Sequence, residues 1–158
     1  MIKMVVVGKL KEKAYTLLMD EFIKRLKPYT KVEIIEVADM IAPQSNSPAQ
    51  NEQVKQIEGE RILSKIKENE YVVLLDLWGE SLSSEAFAEK IQSIYSYHSS
   101  NITFVIGGSL GLSEEVVLRA NFRWNLSKCT FTHQMVRVLV LEQFYRATMI
   151  LNHQPYHK

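Results

Sequence analysis

Residues 104–113 read FVIGGSLGLS, an apolar run that ends in a cluster of glycines. The β-branched and aromatic residues at its start predict a strand over 102–106. Ser113 is placed to cap a short helix, whose first turn carries two glutamates that suit the positive helix end. Glycines between a strand and a helix are typical of a turn whose backbone comes close to a ligand. The segment therefore predicts a binding site.

Strands and helices alternate along the rest of the chain. Apolar runs predict three further strands, at 2–7, 32–37 and 71–77. Helical spacing predicts helices over 10–27, from a Ser47 capping box to about 67, and from Ser83 or Ser84 onwards. Residues 39–46 are predicted to form a connecting loop. This alternation predicts an α/β fold with a mainly parallel sheet and helices on both faces, in a single domain over residues 1–158.

The spacing of apolar residues also predicts which helix faces are buried. The residues expected to face inward are Ala14, Leu18, Phe22, Leu26, Val54, Ile57, Ile62, Ile66, Phe87, Ala88, Ile91, Ile94 and Tyr95. The last predicted helix, 133–151, is apolar on nearly all sides, so it must be buried nearly all round. A sheet covers one side only, and a second copy of the chain is the simplest cover for the other. We therefore expect a homodimer.

The composition narrows the class of protein. The single cysteine, Cys129, excludes an internal disulfide and a cysteine-rich metal site, which suits the reducing cytoplasm. We expect no metal. We also expect no membrane partner, since no apolar run approaches the about 20 residues that span a bilayer and no signal peptide is recognised. The net charge of +1 argues against a sequence-blind nucleic-acid binder, although residues 1–31 hold eight basic and three acidic residues. That excess is either a phosphate-contacting surface or an ordinary solvated helix face.

Standard phosphate-binding loops do not match the glycine turn. The dinucleotide fingerprint has the order G-x-G-x-x-G near the first strand, whereas this chain has G-G-x-x-G late in the sequence. A P-loop needs a lysine after its last glycine, whereas the first basic residue after Gly111 is Arg119. A tight turn without any ligand is the remaining alternative.

Two other segments point to the same edge of the sheet. Residues 75–79 (LDLWG) also end an apolar strand at glycine, and 126–131 (LSKCTF) lead into the last helix. Open α/β sheets bind ligands at the carboxyl ends of their strands. Backbone groups and apolar side chains there suit a flat adenine and a thioether-like chain better than phosphates.

Four segments together resemble the RlmH family: IGGSLG (106–111), LSKCTFTHQMVRVLVLEQFYRA (126–147), the amino-terminal VGKLKEKAY and the terminal PYHK. These are small homodimeric SPOUT-class methyltransferases, and the resemblance covers essentially the whole chain. It implies methylation of N3 of a pseudouridine in 23S rRNA of the large ribosomal subunit, with S-adenosyl-L-methionine as methyl donor. It also implies a carboxy-terminal trefoil knot. The alternatives are a non-enzymatic ribosome-associated binding module and a SPOUT methyltransferase that acts on tRNA.

The resemblance also assigns a cofactor pocket. Its residues would be Leu75, Gly107, Leu126, Ser127, Lys128, Cys129, Thr130 and Phe131. A sulfonium donor is a cation, so the glycine turn needs no lysine. Thr132 stands where the family usually has proline, which we expect to loosen the start of the last helix without abolishing the site. Methylation at nitrogen needs no thiolate adduct, so Cys129 is interpreted as a pocket-lining residue.

Removal of the imide proton needs further groups. His133 and Arg137 lie four residues apart, on one face of the last helix. Arg137 could hold the flanking carbonyl oxygens as negative charge develops, and His133 could accept the proton or orient the base. The resemblance implies that Tyr156 and His157 complete the site, across the dimer, with Tyr156 stacked on the target base. Trp78 and Trp124 belong either to the core or to the pocket rim.

Overall fold

The computed structural model describes residues 1–41, 44–45 and 47–158. Within that part of the chain, five strands alternate with five helices. The strands are β1 Ile2–Val7, β2 Val32–Val37, β3 Tyr71–Ser81, β4 Ile102–Ile106 and β5 Phe122–Asn125. The helices are α1 Lys13–Leu26, α2 Pro48–Leu63, α3 Ser84–Tyr97, α4 Glu114–Arg119 and α5 His133–Leu151. The predicted loop 39–46 includes residues 42, 43 and 46, which lie outside the described residues.

The strands form one parallel sheet in the order β2-β1-β4-β3-β5. Ile2 pairs with Val32 on one side and with Ile102 on the other, so three strands start in register. Parallel neighbours need a crossover connection, and the helices supply it. The α/β fold and the parallel sheet expected from the sequence are therefore confirmed.

Four of the strands are where the sequence predicts them. β1, β2 and β4 have the predicted bounds, whereas β3 continues four residues further, to Ser81. β5 (FRWN) was not predicted, because a four-residue segment with arginine and asparagine gives no apolar run. The pairing of β3 with β5 shifts register between Leu75 and Glu80, so residues 76–79 loop out at the sheet edge. A Cβ on Gly79 would lie 2.6 Å from the Arg123 carbonyl carbon, so only glycine permits this close approach.

Helices cover both faces of the sheet, as expected. α1, α3 and α5 enclose the larger core, in which Phe87 stacks on Trp124 with ring centroids 4.1 Å apart. α2 and α4 cover the opposite face, over Val5, Leu74 and Val105. Both cores converge on β1 and β4, whose residues are all buried.

Some predicted buried positions are wrong. In α1 the buried residues are Met19 and Leu26, and Ala14 and Leu18 are exposed. A strict four-residue repeat drifts around a helix of 3.6 residues per turn, so the true stripe lies one residue away. Tyr95 of α3 is also exposed.

The ends of the helices follow local chemistry. Ser47 and Gln50 form the predicted capping box of α2, although that helix ends at Leu63 rather than 67. Thr132, where the resemblance leads us to expect proline, accepts a hydrogen bond from the Met135 N–H at 3.3 Å. This side chain satisfies a backbone donor that proline would leave free, so it anchors the start of α5.

The single chain covers much of α5. The helix packs against α1, α3 and β4, and its residues 134–151 are all buried or half-buried. The apolar residues that are only half-buried include Met135, Val136, Leu139 and Tyr145. Burial of α5 therefore depends less on a partner than the sequence pattern indicates, and the homodimer stays a prediction.

Candidate functional site

A cavity of about 470 Å³ lies at the carboxyl ends of β3, β4 and β5. This volume is within the range of roughly 300–1,000 Å³ that small-molecule pockets occupy. Its lining comes from 75–78, 106–112, 123–127 and 129–131, with Lys55, Val117, His133 and Val136. The glycine turn, the 75–79 segment and the segment before α5 thus meet in one place, as the sequence predicts.

The glycine turn (residues 107–111) closes on itself. Gly108 and Gly111 form an antiparallel bridge, in which the Gly111 N–H donates to the Gly108 carbonyl at 3.1 Å. Gly111 has a φ of +91°, a backbone conformation that residues other than glycine rarely adopt. A Cβ on Gly107 would lie 2.8 Å from the Leu112 side chain, so the turn packs tightly on this leucine. The glycines of the turn therefore contribute only backbone atoms to the cavity wall.

Seven of the eight predicted cofactor residues line the cavity. They are Leu75, Gly107, Leu126, Ser127, Cys129, Thr130 and Phe131. Lys128 is exposed and is not part of the lining. Asn125 and Ser127 fix the shape of this segment, because their side-chain oxygens each accept a backbone N–H two residues ahead, at 3.0 Å.

Charged and aromatic residues that the sequence analysis did not place also line the cavity. Asp76 accepts a hydrogen bond from Arg123 Nε at 2.5 Å. Lys55 of α2 also lines the cavity. Trp78 is 85% exposed at the rim, whereas Trp124 is 3% exposed in the core, so the structure separates the two tryptophans. Asp76 directly follows an apolar run, a signal that could have been used, but Arg123 lies in the unpredicted strand.

His133 and Arg137 have different surroundings. His133 is exposed and lines the cavity. Arg137 is 2% exposed, and its Nη2 donates to the carbonyls of Val7 at 3.1 Å and Gly8 at 2.8 Å. Burial lowers the pKa of Arg137. Nη2 thus binds the end of β1, whereas Nη1 lies 3.7 Å from Glu36 Oε2, and Nε and Nη1 are buried without a hydrogen-bond partner. Arg137 is not part of the cavity lining, and its contact with substrate oxygens stays a prediction.

The carboxy-terminal tail, residues 152–158, contacts α5 through Tyr156. The Tyr156 hydroxyl donates to Glu142 Oε1 at 3.1 Å, and the Tyr156 ring packs edge-on against Tyr145. Glu142 also forms an i,i+4 ion pair with Arg146. Burial and the Glu142 hydrogen bond both raise the pKa of Tyr156. The tail is therefore ordered on its own helix.

His157 connects this tail to α3. Its Nε2 lies 2.8 Å from Glu85 Oε1 and its Nδ1 lies 3.2 Å from Arg146. The hydrogen bond with His157 lowers the pKa of Glu85. Neither Tyr156 nor His157 lines the cavity of its own chain. Their contribution to a partner's cavity stays a prediction.

Two further properties concern the described residues only. They contain no group of three or more histidine, cysteine or acidic side chains arranged to hold a metal ion. None of their helices combines the length and apolar content needed to cross a membrane.

The sequence matches the model of a protein family described as "Predicted SPOUT methyltransferase" over residues 1–157. Similar proteins from Lactobacillus delbrueckii subsp. bulgaricus (52% identical) and Alkaliphilus oremlandii (50% identical) are both named "Ribosomal RNA large subunit methyltransferase H". Each alignment covers 157 residues and 99% of both chains. Among solved structures, a probable methylase family protein from Haemophilus influenzae Rd KW20 is similar with a TM-score of 0.52 at 16% identity, over 99% of this chain and 70% of that one. This last similarity concerns the fold alone.

Proposed function

Because the chain belongs to the SPOUT methyltransferase family, we propose that it transfers a methyl group from S-adenosyl-L-methionine to N3 of a pseudouridine in 23S rRNA. The observation that carries this proposal is the cavity at the carboxyl ends of three strands, with its glycine-backbone wall. The names of full-length relatives at 50–52% identity support a large-subunit rRNA substrate. We place the activity in the cytoplasm, where ribosomes work, and assign it to one domain over residues 1–158.

The residues around the cavity fit the proposed methyl donor. Bare backbone at the glycine turn leaves room for a flat ring, and Leu75, Leu126 and Phe131 offer apolar surface. The Asp76 carboxylate in the lining is already paired with Arg123, so the fit to the donor rests on backbone and apolar surface rather than on charge. When bound, S-adenosyl-L-methionine supplies a methyl carbon that its sulfonium centre already activates.

The protein's own residues would then orient the acceptor and handle its proton. His133 is the exposed imidazole at the cavity, so we assign it the role of accepting the imide proton or orienting the base that does. Fixed alignment of the acceptor nitrogen with the donor can supply a large part of the rate. Arg137 is assigned a structural role, because its Nη2 holds Val7 and Gly8 and its side chain is not part of the cavity lining.

The proposed active form is a homodimer with a trefoil knot at its carboxy-terminal end. Half-buried apolar residues on α5 offer a surface for a second copy. Tyr156 and His157 are away from the cavity of their own chain, so a partner's tail is the proposed route by which they reach a site. The knot is proposed from the membership of the SPOUT family.

A methylation assay with three RNA substrates tests the proposed function. The purified chain is incubated with isotope-labelled S-adenosyl-L-methionine and assembled ribosomes, protein-free 23S rRNA or tRNA, and the nucleosides are mapped by mass spectrometry. We expect one methylated pseudouridine, formed mainly on ribosomes, because a net charge of +1 gives little affinity for naked RNA. Label in tRNA would instead identify the tRNA alternative. No label, together with no saturable heat on titration of the donor, would identify a non-enzymatic binding module.

A further inference from the structure

A buried carboxylate lies directly behind the glycine turn. Glu58, in the third turn of α2, is 4% exposed. A Cβ on Gly108 would lie 2.8 Å from Glu58 Oε1 and 3.2 Å from Oε2. The carboxylate therefore occupies the space that any side chain at position 108 would need. Gly108 itself lines the cavity, so Glu58 is separated from the proposed ligand by a single backbone segment.

The same carboxylate also holds the segment that follows β2. Glu58 Oε2 accepts a hydrogen bond from the Met40 N–H at 3.0 Å. One helical turn away, Arg61 donates to the carbonyl of Ala38 at 2.7 Å. Glu58 is thus the point at which α2, the segment after β2 and the glycine turn meet.

One face of α2 continues this support along the turn. Lys55 lies three residues before Glu58 and lines the cavity. Gly59 packs against Ser113, since a Cβ there would lie 2.2 Å from Ser113 Oγ. Residues at such spacings share a helix face, so this face of α2 contacts the glycine turn at Gly108 and the N-cap of α4 at Ser113.

We propose that Glu58 is a positioning residue for the methyl-donor pocket, which holds the glycine turn in its binding shape by filling the space beside Gly108 and anchoring Met40. The inference rests on the proposed function, because it takes the cavity to bind S-adenosyl-L-methionine. Glu58 acts through the backbone of the turn and does not touch the reacting atoms. Displacement of the turn by a fraction of an ångström would misalign the donor.

Donor titrations of a small set of variants test this role. Glu58→Ala removes both the filled space and the Met40 acceptor, and it should raise the dissociation constant for S-adenosyl-L-methionine about tenfold. Glu58→Gln keeps the volume and one oxygen acceptor, so it should restore most of the affinity. The matched control is Glu60→Gln, an exposed acid on the same helix, which should bind as the wild type does.

Gly108→Ala supplies the reciprocal test. Its methyl group would collide with the Glu58 carboxylate, so it should also raise the dissociation constant about tenfold. In the Glu58→Ala/Gly108→Ala double variant that collision is removed, and only the closer-than-usual approach to Val7 Cγ1, at 3.2 Å, remains. We therefore expect the double variant to bind no more weakly than either single variant, whereas independent sites would show additive losses.

The assay on ribosomes gives a second readout. A positioning role predicts a higher KM for the donor with an unchanged KM for ribosomes, which a general loss of folded protein would not produce. Wild-type affinity in Glu58→Ala, or additive losses in the double variant, would overturn this inference and leave the proposed function intact. Absence of donor binding by the wild-type chain would overturn the proposed function itself. If Glu58→Ala does not fold, Glu58→Gln and Gly108→Ala still decide: weak binding by Glu58→Gln or normal binding by Gly108→Ala contradicts the inference.

Discussion

Arg137 is nearly fully buried, and its guanidinium joins α5 to the end of β1 through the carbonyls of Val7 and Gly8. Spacing alone places it beside His133 on the helix, which is why the sequence predicts a role in substrate binding. Helical spacing gives the face of a residue but not the direction of a long side chain. In the structure this side chain turns inward, away from the cavity.

Arg137→Met should lower the free energy of unfolding by about 2 kcal/mol, since it removes the Nη2 donor that serves both carbonyls and leaves these buried acceptors unpaired. Chemical denaturation measures the change. Lys128→Ala is the matched control, because this exposed cation should leave stability within about 0.5 kcal/mol. Unchanged stability with a raised KM for ribosomes would return Arg137 to the substrate-binding role.

The ionisation of the Glu58 carboxylate gives a prediction about how the stability of the protein depends on pH. Burial is the largest cause that raises the pKa of Glu58 above its ordinary value of 4.5, and the Asp39 carboxylate adds to the increase. The Met40 N–H, Arg61 and His133 act in the opposite direction without cancelling it. A raised pKa means that the folded state favours the protonated form.

The contribution of Glu58 to stability is therefore fully present below pH 4.5 and is lost as the pH rises through the raised pKa. We expect the wild type to lose stability relative to Glu58→Gln over this interval, so that Glu58→Gln is at least as stable at neutral pH. Denaturation of both proteins between acid and neutral pH measures the difference. A wild type that gains stability relative to Glu58→Gln as the pH rises would contradict the burial argument.

At the scale of elements, a buried ion pair connects the central strands at the end of the sheet opposite the cavity. Lys3 of β1 lies 2.5 Å from Glu70, the residue before β3, and Thr103 of β4 donates to the same carboxylate at 2.9 Å. Burial alone would raise the pKa of Glu70, but the hydrogen bonds from Lys3, Thr103 and the Lys67 N–H outweigh it and lower this pKa.

Lys3→Met should cost roughly 3 kcal/mol of stability, because it leaves a buried carboxylate without its cation. The Lys3→Met/Glu70→Gln double variant should recover a large part of this loss, since its amide oxygen can still accept from Thr103. Thermal and chemical unfolding of both variants measure the two effects. A double variant less stable than Lys3→Met would show that the carboxylate matters for more than its charge.

The elements differ in how far the sequence could predict them. β1 and β4 are nearly continuous apolar runs, as expected for strands buried on both faces, and their bounds follow directly. The half-buried edge strand β2 follows from its β-branched residues, although it also contains two glutamates. β5 is short and polar at two of its four positions, and it forms a strand because β3 and Gly79 lie beside it. Strand bounds set by pairing between distant segments cannot be read from a local pattern.

The residues of the candidate site also differ in how far the sequence could predict them. Gly107 and residues 126–131 could be identified because glycine and strand ends leave local signals, and a family resemblance reinforced them. Glu58 and Lys55 had no such signal, since acids and lysines on a helix are usually solvated. Their position depends on how α2 packs over the turn, which is a property of the tertiary fold.

For the whole molecule, the central expectation is that two chains share each site. His133 lines the cavity, whereas Tyr156 contacts Glu142 of α5 and does not line the cavity of its own chain. Both residues are proposed to serve one reaction. If the tail completes the partner's cavity, His133→Ala and Tyr156→Ala remove different halves of the same site. A mixed dimer would then contain one site with both intact halves and one site with neither.

Each variant alone should be inactive on ribosomes, and mixing the two under conditions of subunit exchange should restore activity. In an equal mixture about half of the dimers are mixed, so about a quarter of the wild-type activity is expected. A mixture of His133→Ala with Phe131→Ala is the control, because both changes lie in the same half and no intact site can form. Sedimentation at high concentration must show dimers throughout. Monomers, or mixed dimers without recovered activity, would mean that each chain works with its own tail.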